Sequence, residues 1–163
     1  MSLGMASAAA LSINFNSVRE GAALTPGESA GAPGYVTSGW NNFNDLPTGP
    51  PDGSTQLTGD TSTVAGPNAG QLTADNGTVL AGTTISWASR NSWNTNNGVG
   101  NGDNKLMNGY IDNNGAEPKI TIDILGLPSS FTGPGYNVVA YIGSDGNGRT
   151  GTIGIDGAAT YSY

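Results

Sequence analysis

A chain of 163 residues with 12 acidic and 5 basic side chains, net charge −7, lacks the clustered Lys and Arg that neutralise nucleic-acid phosphates or hold an anionic membrane surface. With no His and no Cys, it also lacks the parts for a serine–histidine triad, a papain-like nucleophile, histidine-ligated zinc or a disulfide. Its 27 Gly, 9 Pro and 10% charged residues leave too few helix formers for an α-helical fold and predict a single all-β domain with long loops, while no apolar run is long enough for membrane insertion.

The first ten residues read apart from the rest. Met1-Ser2-Leu3 has the form of an added leader, and Met5 to Ala10 has the small-residue pattern found before a signal-peptidase cut. Residues 1–10 are therefore expected to be a leader or signal-peptide remnant, and residues 11–163 a domain that is secreted or displayed at the cell surface. Leu11 to Phe15 alternates apolar and polar residues and predicts the first strand. From Asn16 to Thr55 the periodicity lapses, punctuated by Pro26, Pro33, Pro47, Pro50 and Pro51. A connection this long usually has a function or a bound ion. Tyr35, Trp40 and Phe43 are its expected anchors, with a short strand near Tyr35 to Thr37.

Ser54 to Leu57 and Gln71 to Ala74 are weak strand candidates. Thr83 to Ser89 is a strong one, with Ile85 and Trp87 on one face. Arg90 to Asp103 then reads as an Asn/Gly-rich loop that holds Trp93. In Lys105 to Asp112 the spacing of Leu106, Met107, Tyr110 and Ile111 fits a helical turn and a short strand alike.

The most strongly patterned stretch runs from Lys119 to Arg149. Ile120, Ile122 and Ile124 alternate with Thr121 and Asp123, which predicts a half-buried strand. Tyr136 to Ile142 is apolar on both faces and predicts a strand at the centre of the sheet. Gly126-Leu127-Pro128 stops the first of the two, because proline gives no N–H to a ladder. Further on, Thr150 to Ile155 and Ala159 to Tyr163 flank the hairpin dipeptide Asp156-Gly157. Short strands with long polar loops and no solenoid-length repeat predict a two-sheet antiparallel β-sandwich, of jelly-roll or galactose-binding-like type. Tyr163 falls inside the last apparent strand, so the natural chain is expected to continue.

Several segments recur in one order: Trp40-Asn41-Asn42, Thr84 to Trp87, Asn91-Ser92-Trp93, Gly102 to Tyr110, Gly126-Leu127-Pro128 and Tyr136 to Arg149. In these the chain resembles the galactose-binding-like and carbohydrate-binding-module-like β-sandwich domains of secreted, surface-sorted bacterial proteins. The resemblance runs from about Leu11 to the C-terminus. It implies a non-catalytic carbohydrate-binding or accessory module of a larger extracellular protein, with a polysaccharide or glycan as partner. It carries over no binding residue.

Two sets of side chains are candidate ligands. The loop Asp145-Gly146-Asn147-Gly148-Arg149 offers alternating oxygen donors on flexible backbone, as a structural Ca²⁺ requires, and Asp103 and Asp112 offer more. Asp145 and Asn147 lack the closing Glu of an EF-hand loop, and plain turn chemistry explains them as well. For stacking on a sugar ring, the candidates are Trp93 in its polar loop and Trp40, with Arg90, Asn91 and Arg149 as hydrogen-bonding neighbours. Trp87 is expected in the core. An alternative function is a xylanase-like glycoside hydrolase, which needs two carboxylates flanking one bond. Glu20, Glu28 and Glu117 fall in loops and Asp123 on a wet strand face, so no pair is placed. A structural surface or adhesion domain is a third possibility.

Overall fold

Strand formation begins with like residues lying beside like. In a computed structural model that describes residues 9–17, 23–49, 55–66, 68–113, 119–133, 135–155 and 160–163, Ser12–Ser17 (β1) and Trp40–Leu46 (β2) pair in parallel. Their register sets Asn14 beside Asn42 and Phe15 beside Phe43. The two phenyl rings stack at 5.2 Å, and the two amides bond to each other at 3.0 Å.

The remaining elements follow in order: Leu57–Asp60 (β3), Val64–Ala65 (β4), Thr84–Ser89 (β5), Asn91–Asn94 (β6), the helix Gly102–Asn108 (α1), Gly109–Asp112 (β7), Thr121–Leu125 (β8), the short helix Ser129–Thr132 (α2), Thr152–Gly154 (β9) and Thr160–Ser162 (β10). They form two three-stranded sheets, β1-β2-β4 and β3-β5-β8, and two antiparallel pairs, β6-β7 and β9-β10. The described residues are thus mainly β, as the composition predicts.

The two larger sheets share one core. Phe43, Leu46 and Val64 come from the first and Ile85 and Trp87 from the second, with Leu72, Ala74 and Leu80 from the loops. Trp87 sets its edge against both Phe15 and Phe43, at 5.8 and 6.4 Å between centroids. Each such aromatic pair contributes about 0.5–1.5 kcal/mol beyond the area it buries. A smaller cluster of Leu24, Ala30 and Leu106, flanked by Trp40 and Tyr141, fastens the first long loop to α1. Beside it Lys105 pairs with Glu28 at 2.7 Å, and Asp103 accepts the Gly31 N–H at 2.9 Å.

Three expectations are corrected. Pairing is not antiparallel throughout, because β1 and β2 run side by side in the same direction. A parallel pair needs a long crossover, and the unpatterned excursion after Asn16 supplies it. Tyr136 to Ile142 is not a central strand: it carries no ladder, and Tyr136, Val138, Val139 and Ile142 are exposed. It is held by side-chain contacts instead, since the Tyr141 hydroxyl accepts the Ala32 N–H at 2.9 Å and the Tyr141 ring meets Trp40 edge-on at 6.1 Å. Ile120, Ile122 and Ile124 are exposed rather than half-buried. Ile122 and Ile124 lie opposite Trp87 and Ile85, on the core side, but β8 is the edge strand and the buried cluster stops one strand short of it.

Other expectations survive in reduced form. The short strand near Thr37 is a single bridge from Ala30 to Thr37, and the weak strand near Thr73 a single bridge to Val79. Residues 1–8 of the expected 1–10 leader, Glu20, Ser54, Glu117 and the dipeptide Asp156-Gly157 lie outside the described residues.

Candidate aromatic platform on β6 and β7

The loop expected around Trp93 is a strand, and the segment that fitted both helix and strand is each in turn. Asn101 caps α1 by accepting the Asn104 N–H at 2.8 Å, and the chain turns extended at Gly109 to become β7. Thr95 closes the unit: its N–H donates to the Asn108 carbonyl at 2.8 Å and its hydroxyl to the Met107 carbonyl at 2.7 Å. β6 and β7 therefore pair antiparallel, with Trp93 directly opposite Tyr110 and Asn91 opposite Asp112.

Alternation fixes which face is wet. Ser92 is fully buried, its hydroxyl within 2.7 Å of the Leu46 carbonyl, 2.8 Å of the Pro47 carbonyl and 3.1 Å of the Ser17 hydroxyl. That ties one face of β6 to β1 and β2. The opposite face carries the Trp93–Tyr110 pair, and both rings are half-buried. Directly opposed residues in an antiparallel pair sit about 4.5–5.5 Å apart at Cβ, so Trp93 and Tyr110 are neighbours on that face.

Charged groups gather at its Tyr110 end. The Tyr110 hydroxyl is pushed up to about 12, first by burial and then by the nearby Asp145 and Asp112 carboxylates; a hydrogen bond with the Asp145 backbone and the Arg149 charge act in the opposite direction. Arg149 in turn lies 3.7 Å from Asp145 on the exposed loop. The structure thus brings Trp93, Asp112, Asp145 and Arg149, which are scattered in sequence, around Tyr110. Asn147 is exposed on the same loop. The sequence reading missed Tyr110 as a site residue. Its signal was present in the Tyr110-Ile111 spacing, but that spacing alone does not say which strand lies opposite.

The other candidates lie elsewhere. Trp40 is a loop anchor, with its Nε1–H donating to the Thr37 carbonyl at 3.0 Å. Asn91 is buried and its Oδ1 accepts the Gly49 N–H at 2.8 Å, so it positions the turn after β2. The Arg90 backbone N–H donates to the Asp112 carbonyl at 3.0 Å, extending the β6-β7 ladder. Asp103 is occupied by Gly31. Among the described residues no three His, Cys, Asp or Glu side chains converge as a metal centre, and no helix is long and apolar enough to cross a membrane. No family model, curated protein or solved structure matches the chain.

Proposed function

We propose that this chain is a non-catalytic carbohydrate-binding module of an extracellular protein, and that glycans dock on the Trp93–Tyr110 platform. The observation that carries the reading is the cross-strand placement of two half-exposed aromatic rings, with Asp112, Asp145 and Arg149 at one edge. A sugar ring offers an apolar C–H face to such rings and hydroxyls to flanking carboxylates and guanidinium groups. The shared core of the two three-stranded sheets supports a sandwich as the scaffold. Export fits an acidic, cysteine-free, Gly/Asn-rich chain.

Glycan arrays and pull-downs on insoluble polysaccharides test the reading. Trp93→Ala and Tyr110→Ala are expected to weaken binding at least about tenfold, the equivalent of about 1.4 kcal/mol, with the circular dichroism spectrum unchanged. Absence of binding to every glycan tested would overturn it.

A further inference from the structure

The sheet β3-β5-β8 ends in two unlike edges. At one, β3 is four residues long with Gly59 inside it, and its Leu57 is half-buried. At the other, β8 pairs with β5 in unbroken register from Thr121 to Leu125, and among the described residues no strand pairs with its outer side. A sheet edge left open is a template for another strand, and proteins blunt such edges with proline, a bulge or a very short strand. β8 has neither proline nor bulge. Ile120, just before the strand, alternates onto one face with Ile122 and Ile124, and all three are exposed; Leu125, on the other face, is 66% exposed.

The chain's own strand-patterned segment without a ladder, Tyr136 to Ile142, is anchored elsewhere, with Tyr141 on the Ala32 N–H and against the Trp40 ring. What β8 fits is itself. When two identical strands pair antiparallel about a two-fold axis, residues equally far before and after the axis lie opposite, so the isoleucine faces of the two copies merge. Charge then selects the register. Centring on Asp123 sets two carboxylates against each other, which destabilises a pair, and centring on Ile122 sets Lys119 against Leu125. Centring on Thr121 sets Lys119 opposite Asp123 and Ile120 opposite Ile122, each twice, with Thr121 opposite Thr121 on the axis. Opposite charges, β-branched side chains and facing threonines are the contacts that stabilise antiparallel pairs. Lys119, Thr121 and Asp123 are all exposed.

We propose that two copies of this chain pair through Lys119 to Asp123, joining their β3-β5-β8 sheets edge to edge into one. The contact is isologous: the same patch serves both copies. Its charge pairs are formed only between copies, since Lys119 and Asp123 of one strand lie four residues apart along it, roughly 13 Å at strand rise. The interface is small. A strand pair of this length falls short of the about 1,200 Å² that stable specific interfaces bury, and a net charge of −7 on each copy opposes approach. The dimer is accordingly reversible and dependent on concentration, in the micromolar range. β6 and β7 belong to a different ladder, so the platform and the dimer edge are separate features.

The test is sedimentation velocity across the micromolar range. The wild-type chain is expected to pass reversibly from monomer to dimer as concentration rises. Lys119→Asp puts like charges into both cross-copy pairs, as does Asp123→Lys, and each variant alone is expected to associate at least about tenfold more weakly. Mixed in equal amounts, the two variants restore opposite charges in both pairs and are expected to associate as the wild-type chain does. A wild-type chain that stays monomeric overturns the proposal and leaves the edge to a strand of some other protein. Undiminished self-association in both variants overturns it too, as does a mixture no stronger than its components. If either variant loses its strand signature by circular dichroism, Thr121→Lys takes their place: it sets two ammonium groups together on the axis and is expected to dissociate the dimer, and a dimer that persists counts against the proposal. Trp93→Ala is expected to leave dimerisation unchanged, so the glycan reading and this one fail separately.

Discussion

Asn42 is fixed by Asn14 across the parallel β1–β2 pair, taking the Asn14 Nδ2–H on its Oδ1 at 3.0 Å. The same oxygen accepts the Leu24 N–H at 3.2 Å, while Nδ2 of Asn42 donates to the Leu24 carbonyl at 2.9 Å. One buried amide therefore holds a neighbouring strand and the incoming loop. Asn42→Ala leaves the Asn14 amide and both Leu24 backbone groups without partners, and is expected to cost about 3 kcal/mol, against about 1–2 kcal/mol for Asn14→Ala. Urea denaturation of the two variants checks the order.

Two carboxyls tie stability to acid. Glu28 is held below the usual carboxylate range by its hydrogen bond from Lys105 and then by the Thr25 N–H, and Asp60 by the Ser62 hydroxyl and then the Ser62 N–H. A depressed pKa in the fold means the unfolded chain takes up protons first on acidification. The contribution is present above the unfolded carboxylate range and is lost as pH falls through the lower, folded one. The melting temperature should hold near neutrality and drop below about pH 4, and Glu28→Gln should flatten part of that drop. An unaltered acid limb in Glu28→Gln would remove Glu28 as a contributor.

Tyr110 gives the platform a spectroscopic handle. Ultraviolet titration should show one tyrosine ionising late, at about 12, and Tyr110→Phe should remove it. Asp145→Asn and Asp112→Asn should each move that step down, since both carboxylates oppose a phenolate. Because the folded pKa is raised, the unfolded chain loses this proton first, and stability falls as pH climbs from about 10 to about 12.

Two glycine substitutions separate crowding from backbone strain. Gly109, at the start of β7, has an ordinary φ of −94°, yet an added Cβ would lie 2.9 Å from both the Asn16 Cα and the Phe15 carbonyl oxygen. Both atoms are backbone of β1 and cannot swing away, so Gly109→Ala should cost about 1–3 kcal/mol through overpacking. Gly77 has φ +81° and open space around it; Gly77→Ala should cost about 1 kcal/mol, from conformation alone. A larger loss at Gly77 than at Gly109, by thermal unfolding, would reverse the assignment.

What the sequence made legible is what alternation encodes. β1, β5 and β8 lie where Leu11 to Phe15, Thr83 to Ser89 and Ile120 to Leu125 predict them, within a residue or two at each end. β2 was hidden, because Trp40-Asn41-Asn42-Phe43-Asn44 is rich in a residue depleted from strands. Its asparagines are strand residues only by virtue of partners: Asn42 meets Asn14, Asn44 accepts from Asn16 at 3.1 Å, and Asn41 reaches the Ser12 and Thr73 carbonyls at 2.9 Å. Tyr136 to Ile142 misled for the opposite reason, since a fine local pattern says nothing about whether a neighbouring strand is there to pair with. Trp93 stood out by composition, whereas Tyr110, Asp112 and Asp145 join it through register and loop packing, which no single segment records.

The unit that carries the platform closes over a shorter stretch of sequence than the contacts that hold the parallel pair and the first long loop. Between Asn91 and Asp112 the ladder closes through α1 alone, whereas Asn14 and Asn42 are 28 residues apart, Gly31 and Asp103 are 72, and Ala32 and Tyr141 are 109. Closing short loops loses less entropy and happens sooner. During refolding, then, the aromatic surface should exist before the sheet that supports it, exposed on an otherwise unmade chain. Pulsed amide exchange can order the events: the Thr95 N–H should gain protection ahead of the Leu24 N–H, and the reverse order would mean that the distant asparagine pair nucleates the fold.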